Sequence, residues 1–105
     1  MIDPIIQRFL EKTGSMKQKI QATYLFGSRA RGTERPDSDY DLLLVVREGF
    51  SLSEKDVLYD QVIDILLETG KLISLKIFGE KNFQRLRDLQ SPFLSRVLKE
   101  GIKVG

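Results

Sequence analysis

Apolar side chains recur along this chain with two different periods, and the switches between them divide it into elements. Ile5, Ile6, Phe9 and Leu10 return at helical spacing behind Asp3-Pro4, an N-cap followed by proline at the first helical position, and Gly14 is placed to stop that helix. Residues 15–19 are polar and basic and carry no period. From Ile20 to Phe26, alternation and β-branching predict a strand. Gly27 to Asp39 is polar, holds two glycines and a proline, and reads as a loop with room for one helical turn. Tyr40 to Val46 is almost continuously apolar, which predicts a strand buried on both faces. Ser51-Leu52-Ser53-Glu54 has the spacing of a capping box. Behind it, Leu58, Val62, Ile65 and Leu66 lay an apolar stripe on a helix of about four turns that Gly70 closes. Leu72 to Phe78 predicts a third strand and Lys81 to Asp88 a short helix. Ser91-Pro92 opens a last helix, with Phe93, Leu94, Val97 and Leu98 facing inward and Gly101 at its end; Ile102 to Val104 can add a short edge strand. The order α-β-β-α-β-α-α predicts an α+β (mixed α/β) fold, and with no linker or internal repeat, one domain over residues 1–105.

Composition narrows the chemistry. At 105 residues, 41% hydrophobic and 30% charged, the chain can bury one core and is not of the disordered class. Cysteine and histidine are both absent, which removes disulfides, thiolate nucleophiles, Cys/His zinc sites and histidine general bases. Any catalysis must come from carboxylates, lysines, hydroxyls or a hard metal ion held by oxygen. The longest apolar run, Leu42 to Val46, is far short of the ~20 residues that cross a bilayer, and no secretory signal is evident, so the expectation is a cytoplasmic protein without a membrane partner. A net charge of +2 hides three blocks: seven Lys/Arg against three Asp/Glu over 1–35, four against ten over 36–80, and six against two over 81–105. A basic segment beside an acidic one suits a site where a polyanion meets a metal, although charge blocks alone are more often solvated surface.

Candidate chemistry concentrates in FGSRARGTERPDSDYDLLLVV, Phe26 to Val46. Gly27-Ser28 follows a strand, and glycine lets backbone amides approach phosphate oxygens closely. Arg29, Arg31 and Arg35 put three guanidinium forks, which match phosphate geometry, within reach of that turn. Asp39 and Asp41 stand at i and i+2 at the mouth of an apolar strand, so both project from one face, roughly 6–7 Å apart along the chain. That arrangement suits one or two Mg²⁺ ions that also bind substrate phosphates. Each part alone has a bland reading as a turn, a solvated loop or an N-cap cluster.

Together the parts spell Gly-Ser-x(10)-Asp-x-Asp, which resembles the motif of the DNA polymerase beta-like nucleotidyltransferases. The local form GSRARG…SDYDLLLVV is similar to the minimal nucleotidyltransferase (MNT) family, often encoded beside HEPN-domain partners in toxin–antitoxin pairs. The resemblance implies a small nucleotidyltransferase fold, a mixed β-sheet flanked by helices. It implies that Gly27 and Ser28, with Arg29 and Arg31, bind a nucleoside triphosphate, ATP being the first candidate, and that Asp39 and Asp41 hold Mg²⁺. A hydroxyl would attack the α-phosphate and release pyrophosphate. Because larger relatives bring a second domain to hold the acceptor, the resemblance implies a partner chain here, a HEPN-type helical protein or a second copy of this one.

One departure stands out. Active members of the family it resembles usually carry a third carboxylate on a neighbouring strand, and Leu72 to Phe78 contains none. By alternation Ser74 and Lys76 share one face, so Lys76 either faces solvent or sits near Asp39 and Asp41 in place of a metal's charge. Asp60, Asp64 and Glu68 form a solvated stripe on a helix, and Glu80 is a weak substitute. Three readings stay open: an active nucleotidyltransferase; a weak or inactive binding module of the same fold, antitoxin-like; and a small basic domain binding nucleic acid through Arg29, Arg31 and Arg35. The last is disfavoured because no aromatic-rich strand motif for base stacking is visible.

Overall fold

The computed structural model describes residues 3–105. Helix α1 (Pro4–Lys12) opens as its sequence predicts, with the Asp3 carboxylate accepting the Ile5 N–H at 2.8 Å. The polar stretch that follows is a 3₁₀ helix, Gly14–Lys19, which no periodicity foretold. Strand β1 (Ile20–Phe26) leads through Gly27 into a one-turn helix α2 (Ser28–Arg31) and then an exposed loop to strand β2 (Tyr40–Val46). Helix α3 (Leu52–Thr69) carries the complete capping box, Ser51 Oγ accepting the Glu54 N–H and Glu54 accepting the Ser51 N–H, and ends at Gly70 in the left-handed conformation. Strand β3 (Ile73–Gly79), helices α4 (Glu80–Asp88) and α5 (Pro92–Glu100), and the two-residue strand β4 (Ile102–Lys103) complete the chain.

The fold is α+β: one four-stranded mixed sheet, ordered β3-β2-β1-β4, flanked by helices. β1 runs antiparallel to β2 and to β4, whereas β2 and β3 are parallel and are joined through α3, the long crossover that parallel neighbours require. As its apolar run predicts, β2 is buried on both faces from Leu42 to Val46. Its even-numbered positions, Tyr40, Leu42, Leu44 and Val46, join Ile6, Phe9, Leu58 and Ile65 in the core beneath α1 and α3. Its odd-numbered positions, Leu43 and Val45, join Phe83, Leu94 and Val97 beneath α4 and α5.

The helical stripes are narrower than their spacing predicts. Leu66, Phe93 and Leu98 were expected inward, and each keeps 37–38% of its surface exposed while Leu58, Ile65 and Leu94 are sealed. A helix lying on one sheet buries only the residues directly beneath it, and the flanking apolar positions stay at the rim.

Candidate active site

Sheet register brings the two halves of the sequence motif together. Phe26, the last residue of β1, is paired with Asp41, so Gly27 lies at the height of the Asp41 side chain. Gly27 has φ +75° and ψ −157°, a region open essentially to glycine alone. A Cβ added there would overlap Asp41 Oδ2 and stand 3.1 Å from Cγ. The glycine is therefore required twice, for its dihedral angles and for the carboxylate that occupies its missing side chain's space. The Gly27 carbonyl accepts the Ala30 and Arg31 amides at 3.1 and 3.2 Å, closing the turn, and Gly32 ends it in the left-handed conformation.

Arg29 fastens the loop. Its guanidinium lies 3.9 Å over the Tyr40 ring and donates to the Ser38 carbonyl at 3.0 Å through Nε and 2.8 Å through Nη2. Tyr40 in turn donates its hydroxyl to Asp3 at 3.0 Å. Burial, followed by the Asp3 carboxylate accepting its proton, pushes the Tyr40 hydroxyl above its ordinary pKa. These contacts fix the loop end from which Asp39 and Asp41 emerge. Arg31 is paired loosely with Glu100 across 3.7 Å, and Arg35 lies in the exposed loop, its amide donating to Ser38 Oγ.

Asp39 is exposed and Asp41 half-buried. The Asp41 carboxyl is raised above its ordinary pKa, first by burial and next by the negative charge of Asp39; Lys76 and Arg31 oppose the rise. On β3, Ser74 is the register partner of Asp41 and Lys76 that of Leu43. Since Ile73, Leu75 and Ile77 pack toward α1 and α3, Ser74 and Lys76 share the face of Asp41, and the polar side of β3 does turn toward the carboxylates. The strand position beside Asp41 thus holds a neutral hydroxyl, with a lysine one row further. Of the other carboxylates weighed, Glu68 binds Arg8 at 3.1 Å and Glu80 accepts the Glu48 amide at 3.2 Å. Among the described residues no group of three or more His, Cys, Asp or Glu side chains is placed to hold a metal ion.

A residue that sequence reasoning missed also borders this region. Arg96 of α5 lines a groove of about 200 Å³ with Gly27, Arg31 and Glu100, floored by Phe26 and Phe93. The only signal for it in the sequence is the basic block at the C-terminal end.

A sheet that sets a glycine turn against a strand-borne Asp-x-Asp, with a parallel crossover beside it, is the framework of a nucleotidyltransferase. The chain belongs to the family described as polymerase beta, nucleotidyltransferase, whose model matches residues 8–104. It is 30% identical over 101 residues to MJ0141 of Methanocaldococcus jannaschii, an inferred protein adenylyltransferase, the match covering 95% of each chain. Two solved structures share the fold. One is a toxin–antitoxin with AMP-PNP (TM-score 0.62, 18% identity, 92% of this chain and 69% of that one). The other is an inferred nucleotidyltransferase of Sulfolobus solfataricus (TM-score 0.56, 22% identity, 94% and 75%). The resemblance to minimal nucleotidyltransferases is consistent with all of these.

Proposed function

We propose that this protein binds a nucleoside triphosphate with Mg²⁺ and transfers the nucleoside monophosphate to a hydroxyl on a partner protein. The observation that supports the reading is the contact of the Gly27 turn with the Asp41 carboxylate, a backbone turn of the kind that takes phosphate beside a charge of the kind that takes a metal. ATP is the first nucleotide to test, because the relative MJ0141 is an inferred protein adenylyltransferase. The partner, a HEPN-type helical protein or a second copy, supplies the acceptor. Two repelling carboxylates, one with a raised pKa, are a donor set that a divalent cation relieves. The pair would hold one ion that shares its remaining positions with water and triphosphate oxygens, and among the described residues no third carboxylate joins it.

In this reading Gly27 and Ser28 cradle the terminal phosphates, Arg31 neutralises them, and Arg29 holds the Asp39 end of the loop in place. Asp39 and Asp41 hold the metal, which supplies charge neutralisation at the α-phosphate when bound. The acceptor hydroxyl forms a bond to the α-phosphorus as the bond to the bridging oxygen breaks and pyrophosphate leaves. Such transfer depends on positioning and charge more than on a nucleophilic side chain, which agrees with a chain lacking His and Cys.

A second reading is favoured by one observation, the hydroxyl of Ser74 in register with Asp41. On it the protein binds nucleotide as an antitoxin-like module with slow or no transfer. Both readings require binding, worth about 2.7 kcal/mol of added stability at a hundredfold excess over Kd. We expect the melting temperature to rise with MgATP, and the rise to disappear in Asp39→Asn/Asp41→Asn; no rise with ATP, GTP, CTP or UTP plus Mg²⁺ sinks both readings. Pyrophosphate release with the partner present then separates transfer from binding alone.

A further inference from the structure

The basic block over 81–105 has no role in the reading above, yet α5 delivers one of its members to the edge of the site. Arg96 lines the groove of about 200 Å³ in which Gly27, Arg31 and Glu100 also take part, over the rings of Phe26 and Phe93, packed edge to face at 5.6 Å. Gly27 is shared: the Asp41 carboxylate fills the space its side chain would take, and the same residue lines the groove. The groove therefore adjoins the turn that packs against Asp41, and Arg31 of that turn lines it too. Helix α5 is a firm mount. Ser91 caps it, Leu94 and Val97 are sealed in the core, and at its far end a Cβ on Gly101 would stand 3.1 Å from the Leu25 carbonyl of β1. Among the described residues Arg96 makes no ion pair, whereas Arg31 is held by Glu100 across 3.7 Å with both side chains 40% or more exposed.

We infer that Arg96 is a phosphate-contacting residue of this site. With Arg31 it grips the terminal phosphates of the bound nucleotide from the α5 side, and Glu100 is a positioning residue that holds Arg31 until the triphosphate displaces it. The assignment rests on the nucleotide reading above and extends it to a residue outside the Gly-Ser/Asp-x-Asp motif. Two guanidinium forks facing one groove suit a polyanion. An exposed ion pair as loose as Arg31–Glu100 is weak enough for a triphosphate to replace. Glu100 would then compete with the ligand, so its removal should help binding, which a merely structural carboxylate would not do.

The test is calorimetric titration of the full chain with Mg-tripolyphosphate and, separately, with MgATP, each variant's melting temperature being recorded first. Arg96→Ala is expected to weaken both ligands by about tenfold or more, and Arg96→Lys to recover only part, because an ammonium cannot make the forked contact. Glu100→Gln is expected to tighten both ligands severalfold, and the gain should vanish when Arg31→Ala is added. Unchanged binding by Arg96→Ala, or a loss confined to MgATP, overturns the phosphate contact. A loss or no gain in Glu100→Gln overturns its role. If Arg96→Ala does not fold, Arg96→Gln, which keeps the length of the chain, decides in its place. Should the unaltered protein bind neither ligand, the nucleotide reading itself fails and this assignment with it. Binding by the unaltered protein together with indifferent variants removes the assignment alone.

Discussion

The two faces of the sheet are built from the same strands and finished differently. Beneath α1 and α3, Tyr40, Leu42, Leu44, Val46 and Ile73 are closed over by Ile6, Phe9, Leu58 and Ile65. Beneath α4 and α5 the apolar layer of Leu43, Val45, Leu94 and Val97 stops at the half-exposed Phe93, and on the same face Asp41 and Ser74 are only half-buried and Lys76 is exposed. One strand, β2, serves both faces by alternation: its even positions seal a core, and its odd positions run from core to carboxylate. Stability and candidate chemistry therefore lie on opposite sides of one backbone, and most substitutions should disturb one without the other.

Leu44→Ala on the closed face should produce the largest change, a loss of about 2–5 kcal/mol in denaturant unfolding, because the helices above it cannot collapse into the space. A loss under about 1 kcal/mol would mean that face is not the main core. Gly27→Ala crosses the divide. Its dihedral angles alone should cost about 1–3 kcal/mol, and the displaced Asp41 should abolish Mg²⁺-dependent nucleotide binding. If calorimetry finds nucleotide binding intact, the contact between turn and carboxylate is dispensable. Ser74→Asp should lower metal-free stability slightly, by added repulsion with Asp41, and tighten Mg²⁺ by about tenfold, roughly 1.4 kcal/mol, more than Lys76→Asp does, since position 74 and not 76 is in register with Asp41. The reverse ranking would show that β3 is shifted relative to β2.

The smallest effect is one of pH. A raised Asp41 pKa means that the folded protein holds this proton more tightly than the unfolded chain. The stability so gained is complete below the ordinary carboxyl value and is lost as pH rises through the raised one. Without metal, the charged Asp41 is therefore a net cost at neutral pH. Asp41→Asn should raise the melting temperature slightly at pH 7 and not in acid. A variant less stable than the native protein at pH 7 would show the carboxylate to be structural.

Most of the fold was legible because each element carries its own local signal. The capping box marks the start of α3, an N-cap and proline open α1 and α5, and the apolar run marks β2. The 3₁₀ helix over Gly14–Lys19 was not legible, since three residues per turn leave no apolar period in a polar stretch. The exposed Phe93 and Leu98 were misread because spacing reports which face is apolar and not how wide a neighbour covers it. The motif at Gly27–Asp41 was visible since its two halves are close in sequence. Arg96 was not: only the packing of α5 on β1 brings it to Gly27 from 69 positions away.

Lys76 has a further consequence that lies outside catalysis. Strand β3 is one of the two outer strands of the sheet, and its far edge has no neighbour among the described residues. Ile73, Leu75, Ile77 and Phe78 give that edge a composition prone to recruit another extended chain, and Lys76, exposed in their midst, is its one charge. Buried strands are held in check by their partners, but an edge must be kept from aggregating by charge. Replacing Lys76 by an apolar residue should make the protein associate edge to edge in a concentration-dependent way, whatever it did at the carboxylates.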